Sequence, residues 1–243
     1  MTVHMTEFWI NGRELIELSR ALRLPPYADD GYLVHCALNE AMGESAPSIF
    51  SVESARERQT RVLAYSQVPA DSLAEISRGF ASPLAYNIVD WERTRSKPLP
   101  EVFPRGLRFD FQVRVCPIVR LGSAKAGHKK GAEVDVFLSR CWDAGEEVPV
   151  DRSDVYREWL RGRFGNEQGV ELTALQMESF QLVKLVRRTH GTERKAKTLR
   201  RPAVTIAGAI EVVDGGRLLH TLERGIGRHR GFGFGMVKVR RGS

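Results

Sequence analysis

Apolar positions along this chain recur with two periods, two and about 3.6, and the switches between them mark its elements. HMTEFWI (4–10) suits a short strand, and GRELIELSRAL (12–22) carries Leu15, Ile16, Leu18 and Leu22 at helical spacing. LPPYADDG then breaks the pattern, because two prolines cannot continue a helix. Asp29 or Asp30 can cap a second helix, GYLVHCALNEAMG, that ends at Gly43. SIFSVES and QTRVLAYSQV are predicted strands joined by the polar turn ESARER, and ADSLAEISRGF a helix stopped at Gly79. LAYNIV is the weak candidate for a further strand.

RTRSKPLPEVFPRG follows, with three prolines among charges, and is the best candidate for a boundary. Beyond it LRFDFQVRVCPIV alternates, placing Leu107, Phe109, Phe111, Val113 and Val115 on one strand face. GSAKAGHKKG is a basic loop, and AEVDVFLSRCWDAG and RSDVYREWLRGRFG are amphipathic helices. SFQLVKLVRR and RPAVTIAGAIEVV are strands around the cationic turn THGTERKAKTLR; GGRLLHTLERGIG is a helix and FGMVKVRR the last strand. Each half approximates βαββαβ, so the expected fold is α+β: two tandem ferredoxin-like (RRM-like) domains, 1–98 and 107–243, with 99–106 as linker.

Composition adds two constraints. No apolar run reaches the roughly 18–20 residues of a membrane span, and MTVHMTEFWI is too polar for a secretory signal, so no membrane partner and a cytoplasmic location are expected. Cys36, Cys116 and Cys141 form no CxxC pair, which argues against a disulfide framework or zinc finger; Cys36 reads as a small buried hydrophobe. The net charge of +7 is unevenly spread: residues 187–241 hold 14 Lys/Arg against 4 Asp/Glu, the rest of the chain 23 against 26. A concentrated positive block suits a polyanion, nucleic acid first, or a plain solvated face.

The densest part of that block is GIGRHRGFGFGMVKVRR (225–241), with five glycines and five cations. A dinucleotide fingerprint needs a strand before it and a helix after, the reverse of the order here, and no Gly-Lys-Ser/Thr opens a helix as in a P-loop. A backbone cradle for a polynucleotide remains. Gly225, Gly227, Gly231 and Gly233 permit positive φ and close approach, Arg228 and Arg230 add charge, and His229 a hydrogen bond. Phe232 and Phe234 alternate with glycine and are expected to share a face, in the core or against a base. A helix cap followed by a bulged strand is the plainer alternative, and accounts for Gly225 and Gly227 alone.

LERGIGRHRGFGFGMVKV, preceded by TIAGAIEVVDGGRLLHTL, resembles the C-terminal signature of the CasE (Cse-type) family of type I-E CRISPR repeat-processing endoribonucleases. IFSVESARERQTRVLAYSQVP is similar to that family's second and third strands, and LRFDFQVRVCPIVR with its basic loop to the opening of its second domain. The resemblance implies two ferredoxin-like domains and metal-free cutting of precursor RNA 3′ of a repeat stem-loop. It also implies retention beside other Cascade subunits. It carries a Tyr-x-x-His pair onto Tyr32 and His35 in YLVH; three-residue spacing puts both on one helix face. Some members add a lysine five residues after the histidine, where this chain has Glu40. The same resemblance makes the hairpin RRTHGTERKAKTLRR the expected contact to the repeat stem. Its candidates are Arg187, Arg188, Arg194, Lys195, Lys197, Arg200 and Arg201, with Lys129 and Lys130 as a further patch.

RNA carries its own nucleophile, the 2′-OH, so the protein need only align it, move protons and stabilise phosphate charge. Histidine suits proton work near neutrality, on the base or the acid side, and a neutral Tyr32 would orient the 2′-OH or the phosphate. His4 lies near a terminus and His220 reads as structural within its helix, while His128, His190 and His229 lie in basic loops. No HExxH-type spacing occurs, so neither metal nor cofactor is expected. A non-cleaving RNA-binding subunit on the same fold is the main alternative; a small-molecule enzyme is remote.

Overall fold

The computed structural model describes residues 2–26, 28–56, 59–145, 148–188 and 196–242. The first half runs β1 (His4–Asn11), α1 (Gly12–Ala21), α2 (Asp30–Met42), β2 (Ile49–Arg56), β3 (Gln59–Ser66), α3 (Ala70–Phe80), α4 (Pro83–Asn87) and β4 (Arg95–Pro98). Its antiparallel sheet has the order β2-β3-β1-β4. Phe8, Ile10, Val62 and Ala64 point from the sheet onto Val34, Leu38 and Leu73 of the helices, which makes a closed apolar core. Asp29 caps α2: its Oδ1 accepts the Gly31 N–H at 3.0 Å, satisfying one of the donors a helix start leaves open.

The second half repeats the plan with β5 (Arg108–Val115), β6 (Ile118–Arg120), β7 (Glu133–Asp135), α5 (Val136–Ala144), α6 (Arg152–Arg161), β8 (Val170–Arg188), β9 (Ala196–Val212), α7 (Gly215–Arg224) and β10 (Val237–Arg241). Its main sheet has the order β10-β5-β9-β8, the same arrangement as the first, and β6 pairs β7 separately. Both halves are therefore ferredoxin-like. Phe109, Phe111, Val113 and Val115 do share the buried face of β5.

Several boundaries depart from the sequence pattern. LAYNIV is not the closing strand: Ser82 Oγ accepts the Ala85 N–H and Pro83 opens the short helix α4, leaving Val89 only an isolated bridge to Ile10. The closing strand is β4, RSKP, whose polar, Pro-ended composition belongs to an edge. Helix α3 passes through Gly79 and stops at Phe80, before the Ser82–Pro83 pair. β2 continues through ESAR to Arg56, so the turn is shorter than ESARER. EVD (133–135) is strand, because Asp135 caps α5 through the Phe137 N–H at 2.9 Å. Both long strands reach further than expected, with β9 taking up residues 196–200 of the supposed turn. Ile16 is exposed and Cys36 half-buried, whereas Cys116 is buried, which pushes its thiol up to about 12. Segment 99–106 is not loose: the Leu99 N–H donates to Val3, and Phe103 is buried against Phe109.

The two halves share one apolar cluster, in which Val3, Ile49 and Tyr65 pack with Val113, Leu222, Ile226, Met236 and Val237. The buried Tyr65 hydroxyl donates to the Val237 carbonyl at 2.8 Å, and Lys238 Nζ bonds both oxygens of Glu53 at 2.7 and 2.9 Å. Arg114 of β5, lying over the Phe234 ring, reaches Asp29 at 3.6 Å and so ties the start of α2 to the second half. Burial raises the pKa of Asp29, and the Arg114 guanidinium works against that rise.

Candidate active site

Residues 225–235 form a closed loop between α7 and β10. The Gly225 N–H caps α7 at Thr221, and φ of +66° there is glycine's territory. The neck is pinned by Ile226 N–H to Gly235 O at 2.8 Å and by Gly235 N–H to Arg114 O at 2.7 Å. A Cβ on Gly235 would lie 2.2 Å from the Ile226 carbonyl oxygen, so the neck closes only because that residue is glycine. His229 itself is left-handed at φ +60°, and residues 230–232 make a single 3₁₀ turn. Phe234 is fully buried, and the half-buried Phe232 packs against the same apolar cluster while its ring also meets α2.

Phe232 joins the loop to the Tyr-x-x-His pair. Its ring stacks on Tyr32 at 5.6 Å and on His35 at 6.2 Å, with His229 edge-on at 6.0 Å. The i, i+3 spacing thus does place both side chains on one face, but to different effect. Tyr32 is only 7% exposed. His35 opens into a cleft of about 910 Å³ between the halves, whose far wall includes Arg224, Arg228, His229 and Arg230. Burial lowers the pKa of His35, so the ring is neutral at pH 7. Its Nδ1 lies 3.1 Å from Asn39 Nδ2.

The charges of the cleft are not equivalent. Glu133 of β7 sits among three arginines: Arg228 at 2.7 Å, Arg201 at 3.4 Å and Arg120 at 3.7 Å, with His229 at 3.8 Å. Arg224 and Arg230 also line the cleft, and neither has a carboxylate within 4 Å among the described residues; Arg230 instead donates to the Arg224 carbonyl at 2.6 Å. Arg201, opposite Val183 on the β8–β9 hairpin, reaches Glu133 of the cleft wall. Along the hairpin the register sets Lys184 opposite Arg200 and Arg187 opposite Lys197.

Of the expected RNA contacts, the cleft therefore gathers Gly227, Arg228, His229, Arg230 and Gly231, with Arg201 behind Glu133. Gly225 and Gly233 shape the loop, and a Cβ on Gly233 would press on Phe50. Arg200 is exposed on β9. Arg187, Arg188 and Lys197 belong to the paired strands, while Arg194, Lys195 and His190 lie outside the described residues. Lys129 and Lys130 are exposed on the loop after β6 and do not line the cleft. His128 packs on Trp142, and Glu40 is exposed on α2. His220, expected to be structural, lines the cleft 3.3 Å from Arg224. Among the described residues no three His, Cys, Asp or Glu side chains are grouped to hold a metal, and no helix is long and apolar enough to cross a membrane.

Residue-level reasoning missed Gly31, Asp29 with Arg114, Glu133 and Asn39. Gly31 was visible only as one glycine in DDGY, yet a Cβ there would stand 2.1 Å from the Phe232 carbonyl oxygen, which makes it the point where α2 meets the loop. Glu133 gave no local signal, since its partners lie 13, 68 and 95 positions away or more. Asn39 follows His35 by one helical turn, a spacing that alone says nothing of an amide bond to the ring.

Known proteins share this architecture. Over 238 residues, 95% of this chain and 99% of the relative, the sequence is 26% identical to the CRISPR-associated endoribonuclease Cse3 of Thermus thermophilus. The structure of Thermus thermophilus Cse3 bound to an RNA representing a pre-cleavage complex is similar with a TM-score of 0.64 at 21% identity, covering 99% of this chain and 100% of that one. A chain of a CRISPR RNA-guided surveillance complex is similar with a TM-score of 0.59 at 14% identity, covering 98% and 99%. The model of the CRISPR associated protein family matches residues 3–241, and the chain belongs to that family.

Proposed function

We propose that this protein is an endoribonuclease that binds the stem-loop of a CRISPR repeat and cuts the precursor RNA beside it. One observation carries the reading: a titratable histidine from the first half opens into a cleft walled by arginines from the second. The likeness along nearly the whole chain to a protein named as a CRISPR-associated endoribonuclease supports the reaction class. The cationic hairpin and the exposed arginine of β9 grip the stem, and the glycine loop holds the strand at the cut.

In the reaction the 2′-oxygen bonds to phosphorus while the bond to the 5′-oxygen breaks, leaving a 2′,3′-cyclic phosphate and a 5′-hydroxyl. One proton leaves the 2′-OH and one reaches the 5′-oxygen; His35 is the group placed to serve one of these oxygens. Arg224 and Arg230, which have no carboxylate within 4 Å among the described residues, supply charge to the phosphate from across the cleft, a role Glu40 cannot fill. Tyr32 acts through its ring, bracing Phe232 against His35. The chemistry requires no metal. The halves 1–98 and 107–243, joined by 99–106, form the two walls. After cutting, the protein keeps its RNA and joins other Cascade subunits in the cytoplasm, a reading supported by its likeness to a chain of a surveillance complex.

The test is cleavage of the host repeat RNA in EDTA, with ribose or 2′-deoxyribose at the cut. Ribose RNA should be cut and the deoxy substrate bound but left intact. Cutting of the deoxy substrate, or dependence on added metal, would overturn the mechanism. Binding without any cutting would make the protein an inactive RNA-binding subunit.

A further inference from the structure

Asn39 stands one turn after His35 on α2, exposed to solvent. Its amide nitrogen donates to the His35 backbone carbonyl at 2.7 Å and lies 3.1 Å from Nδ1 of the same residue. The first contact fixes the orientation of the amide, because exchanging its oxygen and nitrogen would set two acceptors 2.7 Å apart. The second hydrogen of that NH₂ is then directed to Nδ1. A ring nitrogen that accepts a hydrogen bond carries no proton, so in the neutral imidazole the proton is on Nε2.

We propose that Asn39 is a positioning residue that holds His35 as the Nε2–H tautomer. The consequence for cleavage rests on His35 being the group that serves the reaction; the tautomer itself does not. Nε2 has no hydrogen-bond partner among the described residues and, with Nδ1 engaged by Asn39, is the ring nitrogen left to bond a substrate. A nitrogen that already bears hydrogen cannot take the proton of the 2′-OH. It gives a hydrogen bond to an oxygen on which negative charge accumulates, at the phosphate or the leaving 5′-position.

The surroundings favour the same state. A second proton on Nδ1 would set N–H against the Asn39 NH₂. Arg120, Arg224, Arg228 and Arg230 across the cleft oppose a charged ring, as do His220 and His229 once protonated; Glu133 and Glu223 favour it, but Glu133 is already shared among arginines. Phe232 of the glycine loop stacks on the ring and covers that side with apolar surface.

The full chain labelled with ¹⁵N-histidine, with His35→Ala assigning the signal, reads the tautomer by long-range ¹H–¹⁵N correlation without RNA. The wild type should show Nδ1 unprotonated and Nε2 protonated at pH 7.5. In Asn39→Asp the carboxylate accepts from Nδ1–H, so the proton should appear on Nδ1 and the titration midpoint of His35 should rise by about one pH unit or more. The pH–rate profile for repeat RNA should move with it, and Asn39→Ala should lose the single tautomer while unfolding at the wild-type denaturant concentration. A wild-type Nδ1–H signal, or a midpoint unmoved in Asn39→Asp, would overturn the assignment. Absence of RNA cleavage by the wild type would count against the proposed function, and the spectra would still decide for or against Asn39.

Discussion

Replacing Gly31 by alanine tests the contact between helix α2 and the glycine loop. The new methyl would lie 2.1 Å from the Phe232 carbonyl oxygen, 2.7 Å from its carbon and 2.9 Å from Asp29 Oδ1. Carbon–oxygen contacts settle near about 3.3–3.6 Å, so loop and helix must separate by about 1 Å. Alanine in a helix gains about 0.5–1 kcal/mol over glycine, whereas overpacking against backbone costs about 1–3 kcal/mol. The overlap should win, with a net loss of about 1 kcal/mol read from urea unfolding. Cleavage should fall further, by about 10²-fold, because the Phe232 ring that stacks on His35 moves with its carbonyl. Gly79→Ala is the control: Gly79 lies in α3 with nothing within 4 Å of a Cβ, and there alanine should stabilise by about 0.5–1 kcal/mol. If Gly31→Ala stabilised the protein as Gly79→Ala does, and cutting were unchanged, the packing argument would be refuted.

Three further outcomes follow from the same geometry. Tyr32→Phe should cut repeat RNA near the wild-type rate and Tyr32→Ala about 10²-fold more slowly, since ring packing is what is lost; equal losses in both would put the hydroxyl into the chemistry. His35 is neutral and its pKa lowered by burial, so its contribution to stability is complete above about pH 6.5 and declines as pH falls from there through the folded-state pKa. Between pH 7.5 and 5.5 the wild type should therefore lose more urea resistance than His35→Gln, and parallel losses would contradict the lowered pKa. Arg230→Ala should reduce the slope of log affinity against log salt by about 0.7–0.9. Arg228→Ala should reduce it less, because Glu133 already neutralises Arg228. Equal reductions would mean that RNA displaces Glu133.

The fold was largely legible because each half repeats one pattern: strand periodicity in RFDFQVRV and QTRVLAYS, helical periodicity between, and glycine or proline where it changes. The closing strand of the first half was not, since RSKP has an edge strand's composition and LAYNIV, the more apolar segment, is claimed by the Ser82–Pro83 helix start. The glycine-rich segment was legible as a turn between a helix and the last strand, and the reason the structure gives for its glycines is packing within the chain. Gly225 and Gly235 close the neck, and Gly31 receives the loop from the other half. The pairing of Tyr32 and His35 on one face came from their spacing. That one is covered by Phe232 and the other open is a tertiary fact, as is the convergence of Arg120, Arg201 and Arg228 on Glu133. Such contacts join residues far apart in the chain and leave no local period to read.

The central claim is that the His35 imidazole acts on RNA held in the cationic cleft. Single-turnover cutting and equilibrium binding of the same repeat hairpin, measured on wild type and His35→Ala, address it together. The account predicts at least about a 10²-fold slower cut with affinity little changed. An alanine variant that cuts at the wild-type rate while binding normally would contradict it.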